Sequence, residues 1–284
     1  MLAENYQLCE QLAKLGIYVI LSLNTFDSSV SKQLHGRDLT EIKSKAIENL
    51  SRAGVKMTLL NVLIRGVNEN SLAPLIKLLQ ENDNILSLTV QTMTYTGQGG
   101  GKFAKSHHIP IDEAARIICS QSNGQIRFED FCTRPSSHPL CYLVSYLLKS
   151  GNELIPFARF ASLEKLKELI ANSYLIRPCQ TNDFFIDCIN ELYALDKTQY
   201  LNVMRSLVEQ LYPMGKPVGD FDRQKIAESS VKTIYIHSHM DEDTFDCSRA
   251  MQCPDLVPSE PGKLIPACTY NLFYRMKDKR FYVE

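Results

Sequence analysis

The sequence contains no tryptophan and, despite nine cysteines, no CxxC pair. The second absence removes the usual zinc-finger and zinc-ribbon spacings. No apolar run approaches the roughly 18–20 residues that span a bilayer. No excess charge of either sign exists: 31 Lys and Arg face 32 Asp and Glu, for a formal net charge of -1. That balance predicts no general attraction to nucleic acid or to an anionic membrane. The opening stretch, MLAENYQLCEQLAKLG, is amphipathic and polar-faced rather than a secretory signal, so a cytoplasmic location is the expectation.

What is present in surplus is cysteine. In a reducing compartment such a surplus reports metal or redox chemistry more often than disulfides, and an odd count excludes complete internal pairing. Hydrophobic residues at 44% and charged residues at 22% suit an ordinary globular chain of 284 residues, long enough for one or two domains.

The first hundred residues alternate between two periods. Residues 3–15 carry Tyr6, Cys9, Leu12 and Ala13 on one helical stripe, and Ile17–Leu23 is a near-continuous apolar run, expected to be a strand buried on both faces. Asp38 precedes a helix ending at Gly54; Val55–Ile64 is the next strand, a helix follows from Asn70 or Ser71, and Ile85–Thr92 is a third strand. This αβαβαβ order predicts an α/β fold with parallel pairing and right-handed crossovers. A parallel unit normally opens on a strand, and here it opens on a helix, so a preceding strand is expected. Helices are expected at 110–119, 141–149, 162–172, 183–195 and 197–211, an irregular segment at 131–141, a strand at 232–237, and a loop-rich last fifty residues.

Four stretches carry chemistry-bearing residues. Gly66, Asn68 and Asn70 follow a strand, where parallel sheets bind ligands, although a plain Gly/Asn turn has the same spacing. The glycines of QTMTYTGQGGG let a backbone approach a ligand closely, or make a flexible loop. FEDFCTRPSSHPLC holds Cys132, His138 and Cys141 in a proline-rich loop, as ligands or free thiols. CPDLVPSEPGKLIPACTYN returns Cys268 beside Cys253 through a Pro/Gly turn, with Cys247, His237 and His239 upstream; converging thiols suit iron–sulfur or zinc ligation. Cys9, Cys119 and Cys188 fall on apolar helical stripes and read as core.

ILSLNTFDSSVSKQLHGRDLTEIKSKAIENLSRAGVKMTLLNVLIRGVNENSLAPLIKLL resembles the second half of a radical S-adenosylmethionine (radical SAM) barrel. The marks are a strand ending near Asn24–Asp27, a helix opening at a Gly-Arg-Asp-Leu turn, a strand ending in Arg-Gly-Val-Asn, and QTMTYTG as the following strand end. SSHPLCYLVSYLL and DEDTFDCSRAMQC…GKLIPACTYN resemble the C-terminal region of the tetraether lipid synthase-like subgroup. They also resemble SPASM-type auxiliary cluster domains, with Gly262 one residue further from Cys268 than usual. The family's CxxxCxxC triad is absent from this sequence.

The resemblance implies a partial (β/α) barrel over 1–125 and a C-terminal auxiliary iron–sulfur and substrate region over 126–284. It implies radical C–H activation, on a lipid-like substrate in that subgroup. In such enzymes a [4Fe–4S] cluster reduces S-adenosylmethionine and a 5′-deoxyadenosyl radical abstracts hydrogen. Asn24, Asp27, Arg65, Asn68 and Gln91 would face that cofactor, with Gly66 and Gly97 admitting it to the backbone. Cys132, Cys141, Cys247, Cys253 and Cys268 would ligate one or more auxiliary [4Fe–4S] clusters. Because the triad is missing, the implied partners are an N-terminal segment or separate chain that supplies it, and an electron-donor protein. The alternative is a non-catalytic or partner-dependent iron–sulfur or zinc module.

Overall fold

The computed structural model describes residues 1–95, 102–170 and 182–280. Its frame is a seven-stranded sheet in the order β1-β2-β3-β7-β5-β4, with β6 paired to β5. The strands are β1 Val19–Ser22, β2 Met57–Leu63, β3 Ile85–Thr92, β4 Cys132–Thr133, β5 Tyr142–Ser150, β6 Glu153–Pro156 and β7 Val231–Ser238. β1, β2, β3 and β7 run parallel, and β5 closes onto β7 antiparallel. The expected α/β class is therefore met by a mixed sheet with a parallel centre.

The two faces of this sheet differ because the strands alternate. Leu59 and Leu63 of β2, Leu88 and Val90 of β3, and Ile234 and Ile236 of β7 are buried in one continuous core. That core is completed by α1 Tyr6–Lys14, α3 Thr40–Arg52, α4 Leu72–Glu81 and α5 Ile111–Gln121, through residues such as Cys9, Leu50, Leu75, Leu79 and Ile118. A second helix, α2 Ser28–His35, follows β1. The opposite face carries Thr58, Ser87 and Thr233 low on the strands and Val62, Gln91 and His237 high.

A second core lies on the β5 side of that opposite face. Val144, Tyr146 and Leu148 pack there with Phe157, Phe160, and helices α6 Leu163–Ile170, α7 Asn182–Ala194 and α8 Thr198–Leu211. Helix α9, Asp220–Ser230, runs beneath the face and reaches β1, where Tyr18 Oη donates to Glu228 Oε1 at 2.5 Å. A cavity between α9 and the sheet is lined by Tyr18, Thr58, Ser87, Tyr146 and Thr233. The lower half of the face is thus covered by α9.

Two expectations are corrected. Residues 141–149 form strand β5, not a helix: β7 lies on one edge, β4 and β6 on the other, and burial on both faces erases the alternation that marks a strand in sequence. β1 is not buried on both faces. It forms an edge of the sheet, and Ile20 is 71% exposed because no element packs over it among the described residues. No helix among these residues is long and apolar enough to cross a membrane.

Candidate functional site at the C-terminal strand ends

Parallel strands present their ligand-binding loops at their C-terminal ends. Here the registers Val62↔Gln91, Gln91↔His237 and His237↔Tyr142 place four side chains in one row across β2, β3, β7 and β5. Three of the four are polar, and of these Tyr142 is buried and His237 nearly so. The His237 ring stacks on Tyr142 with centroids 4.0 Å apart, and the His239 ring lies tilted against it at 3.9 Å. Tyr142 Oη donates to Asp255 Oδ2, and His237 Nε2 lies 3.5 Å from the same carboxylate oxygen. Burial pushes both histidines below their ordinary pKa, His237 far below, so both rings are neutral near pH 7.

The loop network behind this row is held by asparagines. Asn68, almost fully buried, accepts from Ile64 N at 2.8 Å and donates to Val62 O at 2.8 Å and Asn24 O at 3.1 Å. Asn24 Oδ1 accepts from Val62 N at 2.8 Å. Both therefore lock the ends of β1 and β2 to each other. Asp27 caps α2, accepting from Ser29 N at 2.7 Å and Val30 N at 3.0 Å; the Ser29 hydroxyl bond first, and then these backbone bonds, lower its pKa. Asp27→Ala is accordingly expected to lower the urea-denaturation midpoint through loss of the cap.

Arg65 lies further out and forms a two-pronged pair with Glu113 at 2.6 and 2.7 Å. Gly66 adopts φ +70 in the turn after β2, its N–H donating to Glu69. Gln91 stands in the polar row. Gly97 lies outside the described residues.

The cysteines separate into distinct environments. Cys132 sits on β4 inside the apolar second core, where burial pushes its thiol up to about 11. Cys247 is exposed on the first turn of α10, Cys247–Met251. Cys9 and Cys188 are fully buried core residues, and Cys119 is partly buried.

Cys141, Cys253 and Cys268 instead gather beside the end of β7. Cys141 immediately precedes β5 and its carbonyl accepts from Ser238 N at 2.9 Å. Cys253 and Cys268 flank a hairpin of β8, Leu256–Pro258, and β9, Leu264–Pro266, whose turn uses Gly262 at φ +78. Ala267 N donates to Asp255 O at 2.8 Å and closes the hairpin base, bringing the two cysteines to one end. The Cys268 thiol is pushed up to about 11, first by burial and also by the charges of Cys253 and Cys141.

Neighbouring N–H groups point at these sulfurs. Met240 N donates to Cys268 Sγ at 3.2 Å, and His239 Nδ1 lies 3.4 Å from the same atom. Arg249 Nε donates to Cys141 Sγ at 3.4 Å. Asp246 caps α10 and Asp241 bonds the turn at Asp243 and Thr244, which fixes the loop that carries Arg249. Among the described residues, no group of three or more His, Cys, Asp and Glu side chains is arranged to hold a metal ion as it stands. The donor chemistry nevertheless suits a soft metal centre: three thiols, a neutral imidazole and N–H donors directed at sulfur. Sequence reasoning named the three cysteines but gave no role to Arg249, Tyr142 or Asp255. Only the closeness of His237 and His239 to the cysteine tail hinted at their place.

No protein-family model matches the chain. It is similar to the 7,8-dihydro-6-hydroxymethylpterin dimethyltransferase of Methanocaldococcus jannaschii, with 26% identity over 275 residues, 85% of this chain and 53% of that protein. The chain therefore spans about half the length of this curated relative.

Proposed function

We propose that the chain is the C-terminal part of a radical SAM enzyme, its sheet being a partial (β/α) barrel whose C-terminal strand ends bind cofactor and substrate. The observation that carries this reading is the polar row Gln91–His237–Tyr142 at the C-terminal ends of the parallel strands. Likeness to a methyltransferase along 85% of the chain supports it. The catalytic [4Fe–4S] cluster and S-adenosylmethionine supply one-electron removal of hydrogen from an unreactive C–H bond when bound. This chain holds no CxxxCxxC, so a further segment or chain holds that cluster.

The residues here bind and orient. Gln91 offers an amide donor and acceptor, neutral His237 one donor and one acceptor, and the Asp255 carboxylate fixes the Tyr142 hydroxyl. Such a row favours a planar polar ring, such as the pterin in the relative's name, over the lipid-like substrate of the resembling subgroup. The thiols Cys141, Cys253 and Cys268 form an auxiliary metal centre beside this row. That centre also supports the second reading, a metal-binding module that works only with a partner chain.

In the complete protein, Gln91→Leu is expected to lower turnover at least tenfold while leaving the thermal midpoint unchanged. Unchanged turnover would remove the polar row from the binding site.

A further inference from the structure

Glu228 of α9 is 8% exposed, and its Oε1 accepts from two neutral donors, Tyr18 Oη at 2.5 Å and Gln224 Nε2 at 3.0 Å. Among the described residues, Oε2 accepts no hydrogen bond, and no Lys, Arg or His stands within ion-pair distance of the carboxylate. A carboxylate taken out of water calls for an opposing charge, because neutral donors offset only part of its desolvation.

Glu228 stands where two hollows meet, and Tyr18, Gln224 and Glu228 border both. The inner one is the cavity under the sheet, about 140 Å³, walled by Leu86, Ala227 and Val231 and by the hydroxyls of Thr58 and Ser87, bonded to each other at 2.9 Å. A cavity of about 150 Å³ accommodates benzene, so this one takes an apolar group of roughly four to six carbons. The outer one is a groove lined by Lys14, Lys56 and Lys225, with Glu228 as its one carboxylate.

Lys225 precedes Glu228 by three residues on α9, so their Cβ atoms lie about 5–6 Å apart on one helix face. The Lys225 ammonium rests over the Phe221 ring at 4.3 Å and makes no ion pair among the described residues. A carboxylate and an ammonium, unpaired with each other, thus stand side by side at the mouth of an apolar cavity.

We propose that this mouth binds a free α-amino acid whose apolar side chain is about the size of leucine's. Its α-ammonium meets Glu228, its α-carboxylate meets Lys225, and its side chain fills the cavity. Each charged end of the ligand supplies what the facing protein group lacks. The site lies at the N-terminal ends of the parallel strands. Ser87, which lines it, and Gln91 are four residues apart on β3, or about 13 Å. Its occupant is therefore separate from whatever the row Gln91–His237–Tyr142 holds, and the inference goes beyond the radical SAM reading without resting on it.

The test is isothermal titration calorimetry of the full chain with L-leucine and three analogues that each lack one part. These are 4-methylpentanoate without the amine, 3-methylbutylamine without the carboxylate, and glycine without the side chain. One leucine per chain is expected, with every analogue at least tenfold weaker. Glu228→Gln, which still accepts from Tyr18, should weaken leucine at least tenfold and leave 4-methylpentanoate unchanged. Lys225→Gln should weaken leucine at least tenfold and leave 3-methylbutylamine unchanged. If Glu228→Gln does not fold, Lys225→Gln decides, because Lys225 is exposed.

Leucine that binds no tighter than its analogues, or whose affinity survives the charge-removing substitutions, overturns the site. So does a chain that takes up no leucine at millimolar concentration.

Discussion

Raising the pH from 7 to 9 is expected to stabilise this protein by on the order of 2 kcal/mol through Lys232 alone, and Lys232→Met is expected to abolish that gain. Lys232, the second residue of β7, has no exposed surface, and its Nζ donates to the carbonyls of Ile85 at 2.7 Å, Asn82 at 3.1 Å and Asp83 at 3.3 Å. Burial first, and then the charges of Lys149 and Lys56, lower its pKa from 10.5 to about 7, against a smaller opposing effect of Asp83. The folded value lies below the unfolded one. Between about pH 7 and 10 the unfolded chain therefore binds more protons, and stability rises with pH across that window. Below pH 7 both states are protonated and this group contributes no slope.

At pH 9 the neutral amine keeps its bonds without a buried charge, so Lys232→Met should cost about 2 kcal/mol there through carbonyls left without a donor. The difference should shrink toward pH 7. Urea midpoints of both proteins across pH 7–9 measure this, and parallel slopes would refute it.

Asn68→Ala is expected to cost about 3 kcal/mol, seen as a lower urea midpoint with an unchanged m-value. Its side chain bonds one backbone N–H and two carbonyls at 1% exposure; alanine removes these bonds from Ile64 N and Val62 O, while Asn24 O keeps the Asn61 amide at 3.0 Å. Asn68→Asp tests the direction of these bonds, since a carboxylate still accepts from Ile64 N but cannot donate to Val62 O or Asn24 O. It should be at least as harmful at pH 7 and partly recover in acid, where the carboxyl can donate one bond. A loss below about 0.5 kcal/mol for Asn68→Ala would show that water replaces the side chain.

The same residue shows what sequence conveys and what it hides. A Gly and two Asn after a strand point correctly to a strand-end turn, and β3 occupies the expected Ile85–Thr92. Whether Asn68 faces a ligand or the backbone depends on where Asn24 lies, just past β1 and 44 residues earlier, and no local pattern encodes that. β5 is hidden for another reason: its apolar run is equally compatible with a helix until β7 and β4 flank it. α9 also escapes the periodicity, because Phe221 is 72% exposed while Ala227 and Glu228 are buried, so no apolar stripe forms.

The thiol cluster is half legible. The Pro/Gly turn between Cys253 and Cys268 already implies that these two meet, and the hairpin β8–β9 does bring them to one end. Cys141 joins them only because β5 starts where β7 ends, a consequence of antiparallel pairing between segments about a hundred residues apart. Arg249 is invisible at that stage, since a lone arginine in DCSRAM carries no signal until α10 turns it inward.

The most direct measurement is the formation of 5′-deoxyadenosine from S-adenosylmethionine under strongly reducing, anaerobic conditions. It should be made on this chain alone and on the same chain joined to, or mixed with, the segment that carries CxxxCxxC. The radical SAM reading predicts none from the chain alone and multiple turnovers from the combination, reduced at least tenfold by Gln91→Leu. A combination that is fully loaded with its cluster, binds S-adenosylmethionine and forms no 5′-deoxyadenosine would contradict it.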